Sequence, residues 1–221
     1  MIMHNSVQNL INIKKIVKSQ IEDLNIIKLP KIIAVSKTFK IEKILPLIEY
    51  GHLNYGENKV QEAIDKWSDI KVKNQDIKLH LIGRLQTNKV KFAIKLFDFI
   101  HSVDSEKLAK KIADEELKQN KKVKIFIQVN IGNEEQKSGI AKKSIINFYH
   151  FCKELNLNII GLMCIPPANT DPEFFFKDLY LLAKELNLTD LSMGMSSDYT
   201  KAIKYSSTYL RIGSSIFGSR N

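Results

Sequence analysis

Arginine is scarce in this chain: it stands only at Arg84, Arg211 and Arg220 among 34 basic residues. Guanidinium forks carry much of phosphate and base readout at nucleic-acid interfaces. The formal net charge of +10 is therefore almost all lysine, spread among isoleucines and asparagines as an AT-rich coding bias would spread it. Such charge supports weak, non-specific association, and specific nucleic-acid binding is not expected. Cysteine is scarcer still. Cys152 and Cys164 give no disulfide framework and no metal cluster. No run reaches the ~18 uncharged apolar residues of a membrane span. The first 29 residues lack the apolar core and small-residue cleavage site of a signal peptide. Lys14, Lys15, Lys18, Glu22 and Asp23 break them up as in an amphipathic surface helix. These absences point to the cytoplasm, where the match of Asn187-Leu188-Thr189 to a glycosylation acceptor is chance.

What is present is apolar residue in quantity, 44% of 221 residues, enough for one sizeable core. Lys31 to Ser36 is a short β-branched run typical of a strand buried on both faces. Ile41, Ile44, Leu45 and Ile48 then form one stripe of a helix that stops at Gly51. The alternation continues. Strands are expected at residues 53–56, 79–83, 97–103, 123–130, 159–165, 188–194 and 209–212, with helical stretches between. Ser105 offers a cap to the helix carrying Leu108, Ile112 and Ala113. Ile145, Phe148, Tyr149, Cys152 and Leu155 share the face of another helix. Thr170 and Glu173 suggest a capping box around Pro172, with Phe175, Leu179, Leu182, Ala183 and Leu186 facing inward.

Eight strands alternating with helices predict a single (β/α)8 TIM barrel over residues 1–221, with an extra N-terminal helix within residues 1–29 packed on it. An open doubly wound sheet is the alternative, but no Gly-rich dinucleotide turn follows the first strand.

In such a barrel, function gathers at the carboxyl ends of the strands. Lys37 ends the first strand. It reads either as a snorkelling surface lysine or as an amine whose desolvation favours imine formation with an aldehyde. Arg211-Ile212-Gly213-Ser214-Ser215 follows the last strand, and its backbone N–H groups could cradle a phosphate. Gly194-Met195-Ser196-Ser197-Asp198 leaves the strand before it; its serines could complete that cradle or simply cap a helix. An amine, a phosphate cradle and an arginine around one mouth are the inventory for a pyridoxal-type cofactor.

At this point the chain resembles the pyridoxal phosphate homeostasis family, related in fold to the barrel of alanine racemase. The resemblance runs from about Ile32 to Arg220. Its motifs fall in order: Ala34-Val35-Ser36-Lys37-Thr38, Tyr55-Gly56-Glu57-Asn58, and His80-Leu81-Ile82-Gly83-Arg84-Leu85-Gln86-Thr87-Asn88-Lys89. Then come Gln128-Val129-Asn130, Lys137-Ser138-Gly139, Gly161-Leu162-Met163, Gly194 to Asp198 and Arg211-Ile212-Gly213. Cys164 and Pro166-Pro167 are its minor departures.

The resemblance implies pyridoxal 5'-phosphate (PLP) as cofactor, held as a Schiff base on Lys37. Ser196 with the Gly213-Ser214 backbone would hold the phosphate, Arg211 would face the pyridine nitrogen, and Asn58 would lie against the ring. His80, Gln86, Asn88 and Lys89 would shape the mouth or meet a transfer partner. It also implies the fold type III barrel without the C-terminal β domain, since the chain ends at Asn221 soon after the eighth strand. Racemases draw the tyrosine opposite their lysine from that domain. Tyr55, Tyr199 and Tyr205 could approach the mouth, but none stands in a motif that matches that tyrosine. The expectation is a non-catalytic, monomeric carrier that stores PLP and delivers it to apo PLP-dependent enzymes. The alternative is a racemase-like enzyme of low activity.

Overall fold

The computed structural model describes residues 3–134 and 136–219. The limit of the resemblance at Arg220 and the chain end at Asn221 lie outside the described residues. After helix α1 (Asn5–Asp23) come β1 (Lys31–Val35), a 3-10 turn at Ile41–Lys43, α2 (Leu45–Glu49), β2 (Asn54–Glu57), α3 (Val60–Lys73) and β3 (Lys78–Leu81). They continue with α4 (Val90–Leu96), β4 (Phe99–Val103), α5 (Glu106–Gln119), β5 (Lys124–Asn130), a short β6 (Ile140–Ala141), α6 (Ile145–Glu154) and β7 (Ile159–Cys164). The last are α7 (Pro172–Glu185), β8 (Asp190–Met195), α8 (Tyr199–Ile203), β9 (Tyr209–Ile212) and α9 (Ser214–Phe217).

All pairings are parallel, and the ring closes through β4 on β5 and β1 on β9, where Lys31 lies opposite Tyr209. The eight strands of this ring are the eight read from the sequence. The short β6 was not. It pairs with the end of β5, Val129 opposite Ile140, and stays outside the ring. This is a closed (β/α)8 barrel. Side chains alternate across each strand. Ile33, Val35, Phe99, Phe126, Met163 and Tyr209 pack together inside. The opposite faces, Leu79 and Leu81 of β3 for example, join the larger core between strands and helices.

Helix α1 buries Val7, Leu10, Ile13, Val17 and Ile21. It lies against α2, α8 and α9, along the seam where the last strand meets the first. Asn9 Nδ2 donates to the carbonyl of Ile216 (3.0 Å) and fixes its register there.

Three local expectations are corrected. The stripe of Ile41, Ile44, Leu45 and Ile48 is split between the 3-10 turn and α2, so Ile44 and Leu47 are buried and Leu45 is exposed. Pro46 in the first turn of α2, with no N–H to donate, suits that break. The cap of α7 is Asp171, which accepts from Glu173 N (3.2 Å), whereas Thr170 turns back to the Pro167 carbonyl. On that helix Phe176 rather than Phe175 is fully buried. Ser105 does cap α5, accepting from Leu108 N (3.4 Å).

Candidate functional site

A cavity of about 790 Å³ opens at the carboxyl end of the barrel, within the ~300–1,000 Å³ of small-molecule sites. Lys37, Asn58, Ser196, Arg211, Gly213 and Ser214 all line it. Strand geometry explains the convergence: Lys37 follows β1, Asn58 follows β2, Ser196 follows β8, and Arg211 to Ser214 leave β9. The cations around it are Lys37, Arg84, Lys137 and Arg211, and among the described lining residues there is no carboxylate. Such a mouth favours an anion.

Ser196 has a role that the capping alternative did not foresee. The N-cap of α8 is Asp198, whose Oδ1 accepts from Met195 N (2.5 Å). Ser196 Oγ instead accepts from the backbone N–H groups of Gly213 and Ser215, each at 3.2 Å. A hydroxyl has two lone pairs and one proton. With both lone pairs engaged, Ser196 has its O–H left to donate at the Gly213–Ser214 turn. A phosphate oxygen needs such donors.

The backbone on either side of Lys37 is clamped from β2 and α3. Glu57 is fully buried, and its Oε1 accepts from Ser36 Oγ (2.7 Å), Lys66 Nζ (2.9 Å) and Trp67 Nε1 (3.0 Å). Lys66 Nζ also donates to the Ser36 carbonyl (2.9 Å) and to Glu62 (3.0 Å). Glu62 accepts from Thr38 N (2.6 Å). Thr38 needs holding, because its φ of 68° is left-handed, a conformation that costs a β-branched residue of order 1–3 kcal/mol. Phe39 stacks on Phe217 with ring centroids 5.0 Å apart, tying the same loop to α9.

Arg211 is buried. One arm donates to Ser192 Oγ (2.6 Å) and another to the Cys164 carbonyl (2.8 Å). Burial lowers its pKa, yet a guanidinium keeps its proton at any working pH. Burial also pushes the Cys164 thiol up to about 12, so the sulfur beside it stays neutral.

Other residues were quoted as motifs but not assigned to the site. Gln128 Nε2 donates to the Ser138 carbonyl (3.1 Å), and Asn130 exchanges hydrogen bonds with Glu134. Together they bring Lys137 and Ser138 to the rim. Gly139 makes the turn possible: its φ is +127°, and a Cβ would lie 2.5 Å from Asn130 N. Gly83 has a similar reason, since a Cβ there would meet the Asn58 carbonyl at 2.4 Å. The expected mouth position of His80 is corrected. It is wholly buried inside the barrel, whereas Gln86 and Lys89 line a separate groove with Arg84 and Asn88 is exposed. Tyr55, which the sequence allowed near the mouth, packs on Trp67 (4.7 Å) behind the wall, and Tyr205 donates to Glu173.

This closed parallel barrel, with Lys37 after its first strand and serine-bearing turns after its last two, belongs to the alanine racemase N-terminal-domain class, whose family model matches residues 17–221. Within that class the chain belongs to the pyridoxal phosphate homeostasis protein family. It is 39% identical over 200 residues to the member from Aquifex aeolicus, covering 86% of this chain and 87% of that one. The structure of PipY from Synechococcus elongatus with PLP bound superposes with a TM-score of 0.79 at 32% identity, covering 91% of this chain and all of the other. Alanine racemase from Clostridium difficile shares the fold, with a TM-score of 0.74 at 16% identity, covering 98% of this chain and 57% of the racemase. The barrel is thus that of the PLP fold type III proteins.

Proposed function

We propose that this barrel binds pyridoxal 5'-phosphate and serves PLP homeostasis, storing the cofactor and delivering it to apo PLP-dependent enzymes as one monomeric unit in the cytoplasm. The observation that carries this is the meeting of Lys37, Arg211, Ser196 and the Gly213–Ser214 turn around one cavity lined by cations. The residues fit the group at each end. Donors suit a dianionic phosphate at the cradle, and a fixed cation at Arg211 suits a ring nitrogen that accepts a hydrogen bond. Asn58, beside Gly83, lies against the ring. Lys37 would hold the aldehyde carbon through its amine nitrogen as a Schiff base, the carbonyl oxygen leaving as water.

When bound, PLP supplies an electron sink for carbanion chemistry, but turnover also needs a proton donor opposite the lysine. Among the described residues lining the mouth there is no tyrosine, histidine or carboxylate. That favours holding over turnover and supports a carrier rather than a racemase-like enzyme.

The test is the absorption spectrum of purified protein with borohydride reduction and peptide mapping. The reduced cofactor is expected on the peptide holding Lys37 and absent from Lys37→Ala. A reducible adduct at another single lysine in Lys37→Ala would overturn the assignment. Cα deuterium exchange with L-alanine at ordinary enzyme rates, on the order of 1 s⁻¹ or more, would overturn the carrier reading.

A further inference from the structure

A chain of polar side chains runs through the barrel interior behind the mouth. Arg211 reaches Ser192 Oγ (2.6 Å), Ser192 Oγ lies 2.8 Å from His101 Nδ1, and His101 Nε2 lies 3.0 Å from His80 Nδ1. His80 Nε2 ends the run at Asn54 Oδ1 (3.2 Å), on the first residue of β2. Ser192, His101 and His80 are fully buried and Arg211 nearly so. The imidazoles are stacked on aromatic rings, His80 on Phe99 at 4.2 Å and His101 on Phe126 at 4.4 Å. His80 is not among the residues lining the cavity at the mouth.

The proton positions follow from the two ends. Arginine only donates and the amide oxygen of Asn54 only accepts. His80 therefore carries its proton on Nε2 and accepts at Nδ1. His101 must then carry its proton on Nε2 and accept at Nδ1. Ser192 accepts from Arg211 and donates to His101. Reversing any link sets His80 Nε2 as an acceptor against the Asn54 oxygen and leaves the Ser192 proton unused, and an unmet polar group in this interior is costly. Burial pushes both imidazoles well below their ordinary pKa, which keeps them neutral as this order requires.

We infer that Asn54, His80, His101 and Ser192 form a one-way hydrogen-bond chain that fixes the guanidinium of Arg211, making these four residues positioning residues for the ring-nitrogen end of the cofactor site. Ser192 and the Cys164 carbonyl each occupy an arm of the arginine fork. The guanidinium is planar and rigid. Holding it at these points sets the direction of its remaining N–H groups. The link to the ring nitrogen rests on the PLP reading; the proton order does not.

Two measurements separate these claims. Nitrogen-15 NMR of wild-type protein labelled in histidine, at pH 7, is expected to show His80 and His101 neutral, both protonated at Nε2. Either ring charged, or protonated at Nδ1, would overturn the chain whatever the protein binds. The second measurement compares binding of PLP with binding of its deaza analogue, in which CH replaces the ring nitrogen, to wild type, Ser192→Ala and Asn54→Leu. Wild type should prefer PLP by about tenfold or more, the worth of one charge-assisted hydrogen bond. Ser192→Ala and Asn54→Leu should lose most of that preference, and Asn54→Asp, which keeps the terminal acceptor, should restore it. A preference kept in both broken variants would overturn the positioning role, since general loosening weakens both ligands alike. Failure of wild type to bind either compound would sink the PLP reading and leave the proton order decided by NMR.

Discussion

Ser196 and Lys66 show how much one side chain can do here. The Ser196 hydroxyl keeps its proton for an acceptor in the cavity because Gly213 and Ser215 fill its lone pairs. Ser196→Ala should weaken PLP binding by about 1.5–3 kcal/mol, roughly ten- to a hundredfold. It should barely alter the binding of pyridoxal, which lacks the phosphate. Titration of both compounds decides it, and an equal loss for the two would place Ser196 elsewhere than at the phosphate. Lys66 is 8% exposed and faces Glu57 at 0%. Lys66→Met would strand a buried carboxylate, with an expected loss of about 3–5 kcal/mol in urea unfolding. Adding Glu57→Gln should recover a good part of it.

Sequence reveals these positions unevenly. Lys37 and Arg211 could be found because each ends a strand that pattern alone locates. The clamp could not, because Glu62 and Lys66 on a helical stretch look the same whether they face solvent or a loop one strand away, and Glu57 at the end of β2 shows no sign of its burial. The interior polar chain was hidden for another reason. A histidine within an apolar run carries no sign of which side of the sheet it takes, and five strands supply one member each.

At the scale of elements, the β-strands were legible because a barrel strand is buried on both faces and reads as a continuous apolar run. Helix details were less so: the split at Pro46 and the Asp171 cap turn on single residues that compete with equally good neighbours. Helix α1 gives a direct test of packing. Leu10 is fully buried on the seam between first and last strands, so Leu10→Ala should cost about 2–5 kcal/mol. Denaturant melts measure it, and a loss below 1 kcal/mol would mean that α1 rests on the barrel without sealing it. Cys152 in α6 and Cys164 in β7 are buried, and burial pushes each thiol up to about 12. Neither should react with a thiol reagent in native protein at pH 8, while both should after unfolding. Rapid labelling of folded protein would refute that burial.

For the whole molecule, three buried histidines set the acid limit. Burial holds His52 at about 4 and depresses His80 and His101 well below 6.5. Below pH 6.5 the unfolded chain binds protons that the native barrel refuses, so stability is full above that value and falls as the pH drops toward 4. Unfolding at pH 5.5 should take up about two to three protons through these groups, a slope of roughly 3–4 kcal/mol per pH unit. Urea melts at pH 7 and pH 5 test this, and equal midpoints would contradict it.

The closure of β1 on β9 also bears on how the protein is made. Lys31 pairs with Tyr209, so Lys37 and the turn at Gly213 are far apart in sequence and meet only when the ring shuts. Contacts this distant in sequence form slowly, because the long intervening loop must be ordered first. A nascent chain on the ribosome that already displays Lys37 has no cradle to accompany it. On the proposed reading, the lysine would meet stray aldehydes during synthesis and would gain selectivity for a phosphorylated one only after the last strand has emerged and docked.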